Sequence, residues 1–215
     1  EVVWCRSLAE AAAALSRQPE RFVAAVIDLH LDDAPDGEAL DAVLAAGVPA
    51  IVLAGEVSDD QRERICAKRV VDYVLKEGTQ SLDYVVELVR RVARNERIKV
   101  LVVDDSSVSR THLRSLLEVH RYRVLEAANG PATLELLKEH PDVSLMLVDY
   151  AMPGMDGWEV VRQVRRLFTR EQLGIIGISS FGTGVVSARF LKNGANDFLY
   201  KPAMAEEFYC RVTEN

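Results

Sequence analysis

Apolar residues in this sequence follow two alternating patterns. Short runs rich in β-branched residues predict strands at 2–5, 23–28, 50–53, 70–75, 99–103, 122–125, 144–149, 174–178 and 197–200. Between them, segments such as 107–118 and 158–167 place apolar residues on one face of a helix. This alternation is typical of βα units around a parallel sheet. The uninterrupted runs KVLVVD and SLMLVD predict strands that are buried on both faces.

The chain consists of two copies of one unit. The strand ends AAVIDLHLDDAPDG and LMLVDYAMPGMDG align at an offset of 121 residues, which places Asp28 on Asp149. The later segments DYVLK and DFLYK also correspond. Repeats of this length indicate tandem domains. The charged stretch RRVARNER at 90–97 is typical of a helix end, so we expect two domains, 1–97 and 98–215.

The two copies differ at their starts. The second opens with VLVVDDS at 100–106, and the equivalent in the first copy would fall before Glu1. The first domain as given lacks that strand and helix; we expect a longer parent or an omitted segment, with a rearranged N-terminal domain as the alternative. In a doubly wound sheet of order 2-1-3-4-5 the missing strand is central, so strands 2 and 3 should be unpaired. The predicted fold is α/β, with two five-stranded, doubly wound parallel-sheet domains, the first incomplete.

Composition narrows the class of protein. The 215 residues carry a net charge of −7 and no Lys/Arg-rich run, which argues against a nucleic-acid or anionic-membrane surface. No apolar run approaches the roughly 20 residues needed to cross a bilayer. The cysteines have no metal-binding spacing and are expected to be reduced thiols of a cytoplasmic protein: Cys5, Cys66 and Cys210. Surface or capping roles are expected for the four histidines, His30, His112, His120 and His140.

Carboxylates end two neighbouring strands of the second copy. Asp104 and Asp105 follow its first strand and Asp149 ends its third, so these side chains are expected to converge at the carboxyl edge of the sheet. Three carboxylates repel one another unless a cation neutralises them, and Mg²⁺ prefers such oxygen ligands. Ser179 and Lys201 end the fourth and fifth strands, where a hydroxyl and an ammonium favour phosphoryl oxygens. The predicted chemistry is attack of an aspartate carboxylate on phosphorus, which forms an aspartyl phosphate.

Four fragments, in this order, carry a family resemblance. VLVVDDS, VDYAMPGMDG, GISS and FLYKP together resemble the receiver domain of two-component response regulators over essentially all of 98–215. The resemblance implies a flavodoxin-like fold with Asp149 as the phosphoacceptor. It also implies that Asp105, Asp149 and the backbone carbonyl of Ala151 bind Mg²⁺, with Asp104 acting mainly through a water molecule.

The same resemblance assigns the rest of the site. Ser179 and Lys201 would contact the phosphoryl group, and the Lys201–Pro202 peptide would be cis. Phe198, three residues before the lysine, falls at the position of the switch aromatic. Phosphorylation is expected to swing Phe198 inward and to change self-association through residues 185–190 and 206–209.

The first copy matches the pattern less well. By alignment, Asp28 is a possible second phosphoacceptor, Lys76 takes the lysine position and Tyr73 the switch-aromatic position. Ala54 stands where a hydroxyl is expected, and Glu77 replaces the proline after the lysine. We therefore expect a receiver fold with a degenerate site, whose role is dimerisation or adaptation.

Function follows from these assignments as an expectation. The chain would be a phosphorylation-dependent switch and not itself an enzyme, with a sensor histidine kinase or phosphotransfer protein as partner and a homodimer as its assembly. EEFYCRVTEN resembles the junction between receiver and cyclase in diguanylate cyclase regulators, so an output domain outside this chain is expected. The alternatives are a stand-alone phosphorelay or adaptor protein and a haloacid-dehalogenase-like phosphatase. Neither DDSSV nor DYAMP supplies the motif of that phosphatase family, and DDSSVSR lacks the glycines of a nucleotide-binding loop.

Overall fold

The computed structural model describes residues 2–55, 64–65, 67–76, 78–180 and 184–215. It divides into a first unit, Glu1–Glu96 with Val119–Arg121, and a second unit, Arg97–Glu118 with Tyr122–Asn215. Cys66 and Glu77 lie outside the described residues. Within the described part of the chain, every helix is too short or too polar to span a bilayer.

The elements alternate along the chain as the apolar pattern predicts. The first unit contains α1 (Leu8–Leu15), a 3₁₀ turn (Pro19–Arg21), β1 (Ala25–Asp28), α2 (Glu38–Ala45), β2 (Ala50–Ala54), β3 (Asp72–Leu75) and α3 (Thr79–Asn95). The second contains β4 (Lys99–Val103), α4 (Ser107–Val119), β5 (Arg123–Ala127), α5 (Gly130–Glu139), β6 (Val143–Asp149), α6 (Gly157–Val164), β7 (Gly174–Ser179), α7 (Gly184–Lys192), β8 (Asp197–Tyr200) and α8 (Ala205–Glu214).

The second unit is a five-stranded parallel sheet of order β5-β4-β6-β7-β8. This is the predicted doubly wound order, and the α/β fold prediction is confirmed. Central strands β4, β6 and β7 are buried along most of their length, with apolar clusters on both faces of the sheet. Because all five strands run in parallel, their carboxyl ends meet at one edge.

The first unit has a three-stranded parallel sheet of order β1-β2-β3. The predicted strand at 2–5 is wrong: these residues form no strand, and Val2 and Trp4 are exposed. A strand needs a hydrogen-bonding neighbour, and none of the described strands lies beside residues 2–5. The expectation that strand 3 is unpaired is also wrong in part, because β1 pairs with β2 along one edge.

The turn after α6 is fixed by Arg165. The helix ends at Val164, before the predicted 167, and the Arg165 guanidinium donates hydrogen bonds to the Gly194 carbonyl at 2.8 Å and to Asn196 Oδ1 at 2.8 Å. Asn196 Oδ1 also accepts from the backbone N–H of Ile175, at the start of β7. These bonds hold together the loops at the amino edge of the sheet.

His120 is buried, so the expectation of a surface or capping role is wrong for this histidine. It is buried within the first unit, and its carbonyl accepts a hydrogen bond from Asn95 Nδ2 at 3.0 Å. Burial, together with the positive charge of Arg91, lowers the pKa of the imidazole to about 4. The folded state therefore holds this ring neutral at neutral pH.

We expect the first unit to lose stability as pH falls from about 6.5 to 4. The unfolded chain binds a proton on His120 near its ordinary pKa, whereas the folded chain resists protonation until about pH 4. The free energy of unfolding should fall by about 3 kcal/mol across this window. Denaturant unfolding of wild type and His120→Leu at several pH values measures the effect. The prediction is contradicted if both proteins show the same pH dependence.

Candidate functional site

Four polar side chains lie at the carboxyl edge of the second sheet because each ends or follows a strand. Asp104 comes directly after β4, and Asp149 is the last residue of β6. Ser179 is the last residue of β7, and Lys201 follows β8. The buried strands fix these positions, since their apolar residues fill both layers beside the sheet.

Lys201 joins two of the carboxylates. Its Nζ lies 2.5 Å from Asp104 Oδ2 and 2.5 Å from Asp149 Oδ1. Asp104 is 2% exposed, and the side chain of Asp149 is 10% exposed. One ammonium therefore faces two carboxylates in a largely desolvated place, which leaves the group with an excess negative charge.

Backbone N–H groups orient the same carboxylates. Ala151 N donates to Asp149 Oδ2 at 2.8 Å, and Ser106 N donates to Asp104 Oδ1 at 2.8 Å. Each oxygen of the two side chains thus accepts one hydrogen bond from a group that the strand ends hold in place. The Asp149 oxygens are fixed in direction before any ligand arrives.

The pKa of Asp149 differs from that of an ordinary aspartate. Burial raises the pKa of the Asp149 carboxyl, and the charge of Asp104 adds to the rise, against the opposing contributions of Lys201 and Ala151 N. Burial alone would lower the pKa of Lys201, but hydrogen bonds to both aspartates outweigh it and the pKa is raised. The lysine therefore stays charged, and Asp149 is a more basic carboxylate than an exposed aspartate.

The other residues predicted for this site differ in exposure and in their contacts. Asp105 is exposed, and in the described part of the chain no three metal-ligating side chains form a ready-made metal site. Ser179 is buried, and its carbonyl accepts from Lys201 N at 2.8 Å. Ala151 is exposed, and the Lys201–Pro202 peptide is cis. Asp104, Asp149 and Lys201 are therefore in contact with one another.

Phe198 is already buried, with its ring centroid 5.4 Å from that of Phe190 and 5.0 Å from that of Tyr200. The expected inward swing of Phe198 requires an exposed starting position, and the ring is not exposed in this structure. Gly177, opposite Phe198 across the β7–β8 pair, has no side chain and leaves room for aromatic rings beneath the site.

The equivalent edge of the first unit is more open. Lys76 Nζ lies 2.5 Å from Asp28 Oδ2, with the two side chains 43% and 40% exposed. Burial would raise the pKa of Asp28, but the hydrogen bonds from Lys76 and from His30 N outweigh it, so the pKa is lowered. Ala54 is fully buried, and Tyr73 is half-buried against the core. Among the described residues, this site pairs the Asp28 carboxylate with the Lys76 ammonium, and Ala54 supplies no hydroxyl.

Gly157 supports the acceptor and was not singled out from the sequence. It is the first residue of α6, and its N–H donates to the Tyr150 carbonyl at 2.9 Å. A Cβ at this position would lie 1.9 Å from the carbonyl oxygen of Asp149 and 3.0 Å from Phe190 Cζ. The last letter of the fragment MPGMDG was the available signal, because glycine marks a close approach of backbone segments.

We expect Gly157→Ala to destabilise the second unit by about 2 kcal/mol, because backbone atoms must move to admit the methyl group. Gly184→Ala is the matched control, since a Cβ there meets nothing within 4 Å. Thermal melting of the two variants measures the difference. Equal melting temperatures would show that the close approach at Asp149 is relieved without cost.

The second unit matches a known protein family. The response regulator receiver domain matches residues 100–213. A two-component response regulator from Oryza sativa subsp. japonica, ORR5, is 36% identical over 118 residues, which are 55% of this chain and 88% of the relative. A crystal structure of a putative two-component system response regulator/GGDEF domain protein is 43% identical, with a TM-score of 0.85, over 95% of this chain and 83% of that chain.

A more distant structure adds chemical context. The CheX–CheY–BeF₃–Mg²⁺ complex from Borrelia burgdorferi is 26% identical, with a TM-score of 0.51, over 54% of this chain and 87% of the matched chain. The match to the receiver domain covers more than half of the present chain and contains Asp104, Asp149, Ser179 and Lys201. The chain therefore belongs to the response regulators of two-component signalling systems.

Proposed function

We propose that Asp149 accepts a phosphoryl group and that this event is the signal the chain transmits. The observation that carries the proposal is the buried Asp149 carboxylate, held by Lys201 and Ala151 N and with its pKa raised by burial. An Asp149 oxygen forms a bond to phosphorus while the donor bond breaks, P–N in a phosphohistidine or P–O in acetyl phosphate. Lys201 and the Ser179 hydroxyl then contact the phosphoryl oxygens.

Mg²⁺ is the cofactor that the donor set favours. Asp104 and Asp149 share one ammonium, so the carboxylates carry more negative charge than Lys201 balances. Asp105, Asp149 and the Ala151 carbonyl would hold the ion, with Asp104 acting through water. Bound there, Mg²⁺ supplies charge neutralisation for phosphoryl transfer. The similar CheX–CheY complex from Borrelia burgdorferi contains BeF₃ and Mg²⁺, which supports this assignment.

Mg²⁺ should stabilise the wild-type protein, and Asp105→Ala should lose most of that stabilisation. Asp105 is exposed, so its replacement leaves the core intact and removes a proposed ligand. Glu135→Ala removes an exposed carboxylate elsewhere in the second unit and is the control. Thermal melts with and without Mg²⁺ measure the shift. A wild-type shift in Asp105→Ala would overturn the ligand assignment.

The wider role follows from the relatives. Receiver domains interact with histidine kinases or phosphotransfer proteins, and we propose such a donor for this chain. The name of the structural relative includes a GGDEF domain, which supports a diguanylate cyclase as the output that phosphorylation controls. The receiver is a signalling module and not itself catalytic. We further propose that the protein acts as a homodimer in the cytoplasm.

The first unit is proposed to serve dimerisation or adaptation. The Asp28–Lys76 pair corresponds to the Asp149–Lys201 pair of the second unit, and we propose Asp28 as a second phosphoacceptor. Asp28 is more exposed than Asp149 and its pKa is lowered rather than raised, and Ala54 cannot donate to a phosphoryl oxygen. We therefore expect phosphorylation at Asp28 to be much slower than at Asp149.

A further inference from the structure

The ring of Phe190 lies beneath the phosphoacceptor edge of the second sheet. Phe190 belongs to α7 and is fully buried. Its ring centroid lies 5.4 Å from that of Phe198 on β8 and 6.2 Å from that of Tyr150, the residue after the acceptor. One side chain from a helix thus packs against residues near both Asp149 and Lys201.

Two glycines make room for this ring. A Cβ on Gly177 would lie 2.6 Å from Phe190 Cγ and Cδ1, and a Cβ on Gly157 would lie 3.0 Å from Phe190 Cζ. Gly177 is in β7, between Ile176 and Ile178, where a buried strand usually carries a branched side chain. The Phe190 ring takes the space that a strand side chain at Gly177 would fill.

The residues around the Phe190 ring are near, in sequence, to the polar residues of the phosphoacceptor site. Gly157 packs on the carbonyl of Asp149, Gly177 precedes Ser179 by two residues, and Phe198 precedes Lys201 by three. A packed aromatic ring is difficult to compress, because interiors are as dense as organic crystals. The ring therefore acts as a spacer between the ends of β6, β7 and β8.

We infer that Phe190 is a positioning residue for phosphoryl transfer to Asp149: wedged between Gly157 and Gly177, it sets the distance between the acceptor carboxylate and the Ser179 hydroxyl. This inference rests on the proposed function. Phe190 touches no phosphoryl oxygen, so it acts only through the strand ends it separates. In the sequence, the matching features are a glycine at 177 and a large aromatic ring at 190.

The test is the rate constant of phosphorylation by acetyl phosphate with saturating Mg²⁺, measured well below the melting temperature. Phe190→Leu should lower this rate constant by about tenfold, since small displacements of reacting groups are costly. Val186→Ala is the control, because Val186 is the other buried residue of α7 and is not among the atoms nearest to a Cβ on Gly157 or Gly177. It should lower the melting temperature and leave the rate constant close to that of wild type.

A second variant makes the test specific to the shared space. Gly177→Ala should slow phosphorylation in the wild-type background, where the new methyl group meets the ring. In the Phe190→Leu background the same change should raise the rate constant, because the methyl group enters vacated room. If Phe190→Leu alone is too unstable to assay, the Gly177→Ala/Phe190→Leu double variant is compared with Gly177→Ala. The inference then predicts a higher rate constant of phosphorylation for the double variant.

The outcomes separate this inference from the proposed function. If wild type takes up no phosphoryl group, the proposed function fails. If wild type is phosphorylated and Phe190→Leu slows no more than Val186→Ala, the positioning role is overturned. An effect of Gly177→Ala with the same sign in both backgrounds would overturn it as well.

Discussion

Asp149→Asn should abolish phosphoryl uptake from acetyl phosphate, because an amide at that position cannot form the acyl phosphate. The fold should persist, since the amide is nearly the same size and can still accept from Ala151 N. Removing one of two carboxylates leaves Lys201 paired one-to-one with Asp104. The melting temperature without Mg²⁺ should therefore equal or exceed that of wild type. Intact-mass measurement and thermal melting check both statements.

Asp28→Asn is the matched control for this variant, because it makes the same chemical change at the corresponding strand end of the first unit. It should retain nearly all of the wild-type uptake. Uptake lost in Asp28→Asn and kept in Asp149→Asn would reverse the ranking of the two aspartates.

Lys201→Met should destabilise the second unit by about 3 kcal/mol at neutral pH, because it leaves two buried carboxylates with no ammonium between them. Lys76→Met is the control in the first unit. Its ion pair with Asp28 is more than a third exposed, so screening limits the loss to about 1 kcal/mol or less. Denaturant unfolding of both variants gives the two values.

The same variant should acquire a distinctive pH dependence. Without Lys201, the pKa of Asp149 rises further above its unfolded value, so the folded state binds more protons than the unfolded chain. Stability of Lys201→Met should then fall as pH rises above 3.8, the ordinary pKa of an aspartate, and Mg²⁺ should restore part of it. A flat pH profile for this variant would contradict the view that Lys201 neutralises buried carboxylates.

The site could be predicted well where chain direction alone decides position. Asp104, Asp149 and Lys201 meet because parallel strands bring their carboxyl ends to one edge, in the expected strand order 2-1-3-4-5. The exposure of Asp105 could not be predicted, because it depends on local turn geometry. Sequence spacing places a residue at the edge and does not say which way it points.

Other features depend on packing partners that lie far apart in sequence. The apolar residues at 2–5 have a strand composition, but a strand also requires a neighbour, and none of the described strands is beside them. His120 looked like a surface residue because single histidines carry no periodic signal. The fit of Phe190 over Gly177 joins a helix to a strand, and only the three-dimensional structure shows that the two share one space.

Locating the phosphoryl group is the most direct measurement of the central claim. Wild-type protein is treated with acetyl phosphate and Mg²⁺, the acyl phosphate is reduced with borohydride, and tryptic peptides are sequenced by mass spectrometry. We predict that the reduced residue is Asp149, within the peptide spanning residues 139–162, and that its formation requires Mg²⁺. A label on Asp28 alone, or no label on any aspartate, would contradict the account.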